Sequence, residues 1–166
     1  AELHLHLEGS VEPAALVELS RRHNGPQYSL QEAERLYQYQ DFAAFLLAYK
    51  SVAEQLATPE DYELITYRLI ERLSAENVLH AEVYVSVGAV PWYNRDFAPI
   101  FEALERARQR GARDFGVSLR WIFDAVRQFG PERARRVVDA AKPKEVMFFP
   151  ARHDHWLVQT GDGYAA

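Results

Sequence analysis

The sequence predicts an α/β fold with the element order of the first half of a (β/α)8 TIM barrel: about four strands, with a helical insertion after the first. Three observations carry this. Stretches near residues 3–7, 79–87, 117–125 and 144–149 alternate apolar and polar residues or run apolar at strand length. Between them, apolar residues recur at i, i+3, i+4 and i+7 over segments long enough to cross over and bring the next strand back parallel. The 166 residues, 48% apolar and 13% aromatic, can build one sizeable core. A complete barrel takes about 250 residues, so the chain falls four strands short of one.

In the first strand His4 and His6 point to one face, roughly 6.6 Å apart along the strand, and Leu3, Leu5 and Leu7 point to the other. Glu8 is expected to continue the polar face before Gly9-Ser10 turns the chain away. Pro13 suits a first helical turn, Leu16 and Leu19 give that helix its apolar stripe, and Asn24-Gly25-Pro26 stops it. Ser29 and Glu32 form a capping box that opens a short helix to about Tyr39. Asp41 caps the next, whose stripe of Phe42, Phe45, Leu46, Tyr49, Val52 and Leu56 is the strongest helical pattern in the chain. Thr58-Pro59-Glu60-Asp61 supplies a cap, an N1 proline and first-turn acids for a helix lined by Tyr62, Ile65, Leu69 and Leu73.

The second strand sets Leu79, Ala81, Val83, Val85 and Val87 against His80, Glu82, Tyr84 and Ser86. Gly88 to Asn94 is expected to be loop. A helix carrying Phe97, Ile100, Phe101 and Leu104 is expected to end before Gly111. The third strand sets Val117, Leu119, Trp121, Phe123 and Ala125 against Ser118, Arg120, Ile122 and Asp124. Gly130-Pro131-Glu132 opens a helix with Ala134, Val137 and Val138, and Lys144 to Phe149 reads as a fourth strand. Trp156-Leu157-Val158 is long enough for one short strand more.

Charged residues make up 26% of the chain and the net charge is −5, which disfavours a nucleic-acid backbone or an anionic membrane as the main partner and suits a small molecule. Without cysteine there is neither a disulfide nor a thiolate metal site, and a cytoplasmic setting is expected. No apolar run approaches 18 residues, and no signal segment opens the chain. Beginning at Ala1, almost inside a strand, the chain reads as a fragment.

His4-Leu5-His6 suits zinc, because imidazole is a common zinc ligand and a tetrahedral site takes two ligands readily from one strand end. The same spacing also fits two hydrogen-bonded histidines on an ordinary half-buried strand. His23 and His80 have no motif around them and read as structural.

His4-Leu5-His6-Leu7-Glu8-Gly9-Ser10, followed by Val11-Glu12-Pro13, resembles the first strand of the adenosine deaminase family within the metal-dependent amidohydrolases. The resemblance runs to about residue 141. It implies a barrel whose first connection expands into several helices that cap the pocket, with Zn2+ held by His4 and His6. It further implies that Glu8 binds the ribose 5′-hydroxyl of a purine nucleoside, and that Phe45, Leu46 and Tyr49 wall the ribose and purine.

In that family a zinc-activated water attacks C6 of a 6-aminopurine nucleoside and ammonia leaves. A third histidine, an aspartate, a proton-donating glutamate and a further histidine complete the site from later strands. No HAGE-like, SxxHG-like or SDDP-like segment occurs here, so the catalytic residues proper lie beyond this chain.

The sequence departs from the family in three places. Where an E-x-R-x-x-P pattern is common after the second strand, it has Ser86-Val87-Gly88-Ala89-Val90-Pro91, which shifts the expected substrate from adenosine toward other 6-amino nucleosides, aminodeoxyfutalosine first. The fourth strand runs into Phe148-Phe149-Pro150 instead of a glycine-rich turn. Residues 151–166 form an atypical tail after a half-barrel spanning 1–150. That tail holds a second pair, His153 and His155, which could join His4 and His6 in a self-contained site or belong to a loose terminus. Two rival readings are a non-catalytic half-barrel that self-associates through its open edges, and an amidohydrolase acting on another amine or an ester.

Overall fold

The computed structural model describes residues 1–23, 25–87, 96–125, 130–141, 147–150 and 158–159. In chain order the elements are β1 (Glu2–His6), α1 (Pro13–Arg22), α2 (Leu30–Leu36), α3 (Phe42–Glu54), α4 (Pro59–Ala75), β2 (His80–Val85), α5 (Phe97–Phe115), β3 (Ser118–Ala125), α6 (Pro131–Ala141), β4 (Met147–Pro150) and β5 (Val158–Gln159). The sheet order is β1-β2-β3-β4-β5. The first four strands are parallel and consecutive, the order that βαβ units impose, and helices α1 to α4 fill the first connection.

The helix starts follow their caps. The Ser29 hydroxyl accepts the Glu32 N–H while Glu32 accepts the Ser29 N–H, a closed capping box. Asp41 accepts the Ala44 N–H at the start of α3. At α4 the carboxylate of Asp61 accepts the N–H groups of Ala57 and Thr58. Fully buried, it also meets Arg22 at 3.3 Å and His23 at 2.6 Å, which ties the end of α1 to the start of α4. His80 bonds the Ser118 hydroxyl at 2.7 Å, so His23 and His80 both have structural partners.

The core lies on the outer face of the sheet, where Ala81, Val83 and Val85 of β2 and Leu119, Trp121 and Phe123 of β3 meet Ile65, Leu69, Leu73, Ile100 and Leu104. Phe97 and Phe101 present edges to Phe123, and the Trp121 indole donates to Glu105 at 2.7 Å.

Five expectations need correction. Helix α5 does not end before Gly111 but runs through it to Phe115 and stops at Gly116, which takes the left-handed φ of 70°. Gly111 is inside the helix because α4 crosses there: an added β-carbon would stand 2.7 Å from Ile70 Cδ1. Leu79 precedes β2 and is 76% exposed, and Leu3 is also exposed, since both lie at the amino ends of their strands outside the core. The stripe on α3 divides: Val52 and Leu56 are buried, whereas Phe42 and Leu46 are exposed, because only the carboxyl half of the helix meets the core. Glu8 does not extend the strand but enters a 3-10 turn, Glu8–Ser10. Of the two sheet edges expected to be open, the one beside β4 carries β5 in antiparallel pairing, Met147 with Gln159 and Phe148 with Val158.

Asn24, the loop at 88–94, Lys144 to Val146, Trp156, Leu157 and the His153 and His155 pair lie outside the described residues. Among the described residues no helix is long and apolar enough to cross a membrane.

Candidate active site at the carboxyl ends of the strands

His6 is the last residue of β1 and pairs in register with Tyr84 of β2, and the next residue, Leu7, donates its N–H to the Tyr84 carbonyl at 2.9 Å. This register puts three rings together. The Tyr84 ring stacks on His4 at 4.4 Å between centroids and 20° between planes, and on His6 at 5.1 Å and 26°. The imidazoles themselves are 5.3 Å apart at 38°. Burial, and then the neighbouring His4, push the His6 pKa below its ordinary value, which keeps its lone pair available.

The 3-10 turn after β1 swings Glu8 under α3. One carboxylate oxygen accepts the Ser86 N–H at 3.0 Å and the other accepts the Tyr49 hydroxyl at 3.2 Å. Tyr49 and Ser86 also share a hydroxyl-to-hydroxyl bond of 3.0 Å. Glu8 is thus 3% exposed and joins the ends of β1 and β2 to α3. Burial pushes its carboxyl above the usual range, against which its own backbone, the Ser86 N–H and Tyr49 draw it down. The same burial, with Glu8 alongside, pushes the Tyr49 phenol up.

Phe45 links this cluster to the surface, with ring centroids 6.3 Å from Tyr49, 5.1 Å from Tyr39 and 5.9 Å from Phe42. His4, His6, Glu8, Phe45 and Tyr49 therefore gather at one end of the sheet, while Leu46 is exposed.

Three residues join them that the motif did not single out: Tyr84, Ser86 and Asp124. Their signal was the polar alternation of β2 and β3, read at its carboxyl end, where parallel α/β sheets carry chemistry. Burial pushes the Asp124 carboxyl up to about 6, with His4 opposing. Its Oδ1 is buried without a hydrogen-bond partner among the described residues.

Among the described residues no three histidine, aspartate or glutamate side chains form a group that could hold a metal ion. In kind, the pair fits zinc: two imidazoles on one strand end are two of the four ligands of a tetrahedral site.

A half-barrel of parallel strands with paired histidines ending the first is the architecture of the TIM-barrel amidohydrolases. Residues 1–148 match the family model described as adenosine deaminase, and the chain belongs to that family. It is 34% identical to the aminodeoxyfutalosine deaminase of Streptomyces avermitilis over 158 residues, covering 90% of this chain and 44% of the relative. It is 31% identical to the adenine deaminase of Vibrio parahaemolyticus, covering 84% of this chain and 42% of that one.

Among solved structures, the adenine deaminase of Arthrobacter aurescens superposes with a TM-score of 0.81 at 25% identity, over 92% of this chain and 48% of that one. An amidohydrolase from Burkholderia ambifaria with bound Zn superposes at 0.79 and 28% identity, over 93% of this chain and 44% of that one. The chain thus spans less than half the length of these relatives.

Proposed function

We propose that the whole protein to which this chain corresponds is a zinc-dependent hydrolase that removes the 6-amino group of a purine nucleoside. The observation that carries this is the pair of imidazoles at the carboxyl end of β1 in a chain of the adenosine deaminase family. His4 and His6 would hold the metal, whose contribution when bound is to make water nucleophilic at neutral pH. The net reaction exchanges the C6 amino group for oxygen from water and releases ammonia.

Glu8 is assigned to the ribose hydroxyl. Its carboxylate accepts from the Ser86 N–H and the Tyr49 hydroxyl, and with about four lone-pair sites it retains capacity for a ligand hydroxyl. Phe45 and Tyr49, with Leu46 at the rim, form the apolar wall. Strands outside this chain supply the remaining ligands and the proton donor. Residues 1–150 are the half-barrel and residues 151–166 an atypical tail, and a cytoplasmic setting belongs to the same reading.

The test is the full-length protein loaded with zinc, with ammonia release followed on adenosine, aminodeoxyfutalosine and adenine. Turnover of a nucleoside, aminodeoxyfutalosine ahead of adenosine, is expected; no release from any of the three would end the reading. One observation favours a second reading, adenine itself. Glu8 is buried with both oxygens already bonded, which suits a free base that presents no ribose. Adenine turning over faster than either nucleoside would select it.

The exposed Leu3 and the edge of β1, unpaired among the described residues, favour self-association of the isolated chain. Sedimentation at micromolar concentration should show oligomers, and a monodisperse monomer would contradict this.

A further inference from the structure

We propose that Tyr84 is a positioning residue for the two histidines: its ring is the platform that holds His4 and His6 with their nitrogens directed to a common point. The inference rests on the reading of His4 and His6 as metal ligands. A histidine on a strand end rotates about two side-chain torsions, and two of them converge on one ion only when both rotamers are selected. Metal-binding histidines are usually fixed by a hydrogen bond from the second ring nitrogen to a carboxylate or carbonyl. Among the described residues, neither His4 nor His6 makes such a bond.

What they do share is Tyr84. Its ring stacks within 4.4 Å of His4 and 5.1 Å of His6, at 20° and 26°. The platform is itself firm. Tyr84 is buried, and its strand is bonded on both sides, to His6 in β1 and to Ile122 in β3. His4 by contrast is exposed, and its ring contacts among the described residues are with His6 and Tyr84 alone. Aromatic stacking therefore stands where a hydrogen bond would ordinarily fix the ring. The ring of Tyr84, and not its hydroxyl, does the positioning.

The experiment is calorimetric titration of zinc chloride into the metal-free full-length protein and its Y84F, Y84L and H4A variants, with thermal melting of each. Y84F should bind zinc within about twofold of the unaltered protein, and Y84L should bind about 10- to 100-fold more weakly, the usual cost of removing a ligand's orienting partner. H4A should lose binding. If Y84L binds like the unaltered protein while H4A does not, the positioning role is overturned and the ligand reading stands. If H4A binds zinc normally, the ligand reading itself fails.

A loss in Y84F equal to that in Y84L would overturn the ring account. Should Y84L not fold, nuclear Overhauser contacts in the metal-free unaltered protein decide. Cross-peaks from the Tyr84 ring protons to both imidazoles support the platform, and their absence overturns it.

Discussion

The carboxylate of Glu8 accepts the backbone N–H of Ser86 at 3.0 Å, so the turn that closes β1 is bonded directly to the end of β2. A second bond from Tyr49 brings in α3. Because this cluster is buried, Glu8→Ala would leave the Ser86 N–H without its acceptor, at a cost of about 2 kcal/mol. Glu8→Gln keeps an amide oxygen for that N–H and should lose less than half as much. Chemical denaturation of the three chains checks this, and equal losses would show that the acceptor is not what matters.

Ile70 of α4 packs directly on Gly111 of α5, with Ile70 Cδ1, Cγ2 and Cβ all within 3.0 Å of where a β-carbon would stand. Alanine in a helix interior ordinarily stabilises by about 1 kcal/mol relative to glycine. Here overpacking costs about 1 to 3 kcal/mol and wins. Gly111→Ala should therefore lower the melting temperature. A rise would mean that the helices separate at little cost.

Asp124 predicts a pH dependence. Its folded pKa of about 6 lies above the ordinary 3.8, so the folded chain holds the proton more tightly than the unfolded one. Well below pH 3.8 the group is protonated in both states and costs nothing. As pH rises to 6 and beyond, stability is lost, because the folded chain must bury a charge. In metal-free buffer at pH 7, Asp124→Asn should be more stable than the unaltered chain by about 2 to 3 kcal/mol, a gap that closes well below pH 3.8. Urea titrations at both pH values measure it, and a gap independent of pH would point to another cause.

What the sequence made legible was local. His4-x-His6, the Ser29 and Asp41 caps, Pro59 and the alternation of the strands each act within a few residues, and the elements formed where these signals stand. What it hid depended on a distant partner. Gly111 looked like a helix stop until α4 was laid against it, and Glu8 was expected to continue the polar face of β1, whereas it turns under α3 to meet Tyr49 and Ser86. Tyr84 and Asp124 were legible as polar-face positions, but their nearness to His4 and His6 follows from strand register, which no short pattern records.

The chain of 166 residues should not by itself deaminate adenosine or aminodeoxyfutalosine at an enzymatic rate. Two histidines leave zinc under-coordinated, and on the proposed reading the general acid–base assistance, worth about 10² to 10⁴ in rate, is missing with them. Purified chain with equimolar zinc should release ammonia more slowly than about 1 s⁻¹, the low end of ordinary enzymes. Faster turnover would implicate His153 and His155.

The central claim is that His4 and His6 hold the metal, and the most direct measurement is zinc content by elemental analysis of the full-length protein with both histidines replaced by alanine. Metal binding and deaminase activity should fall together, since ligands removed from a tetrahedral site take the bound ion with them. Zinc retained at full stoichiometry in the double variant would contradict the account.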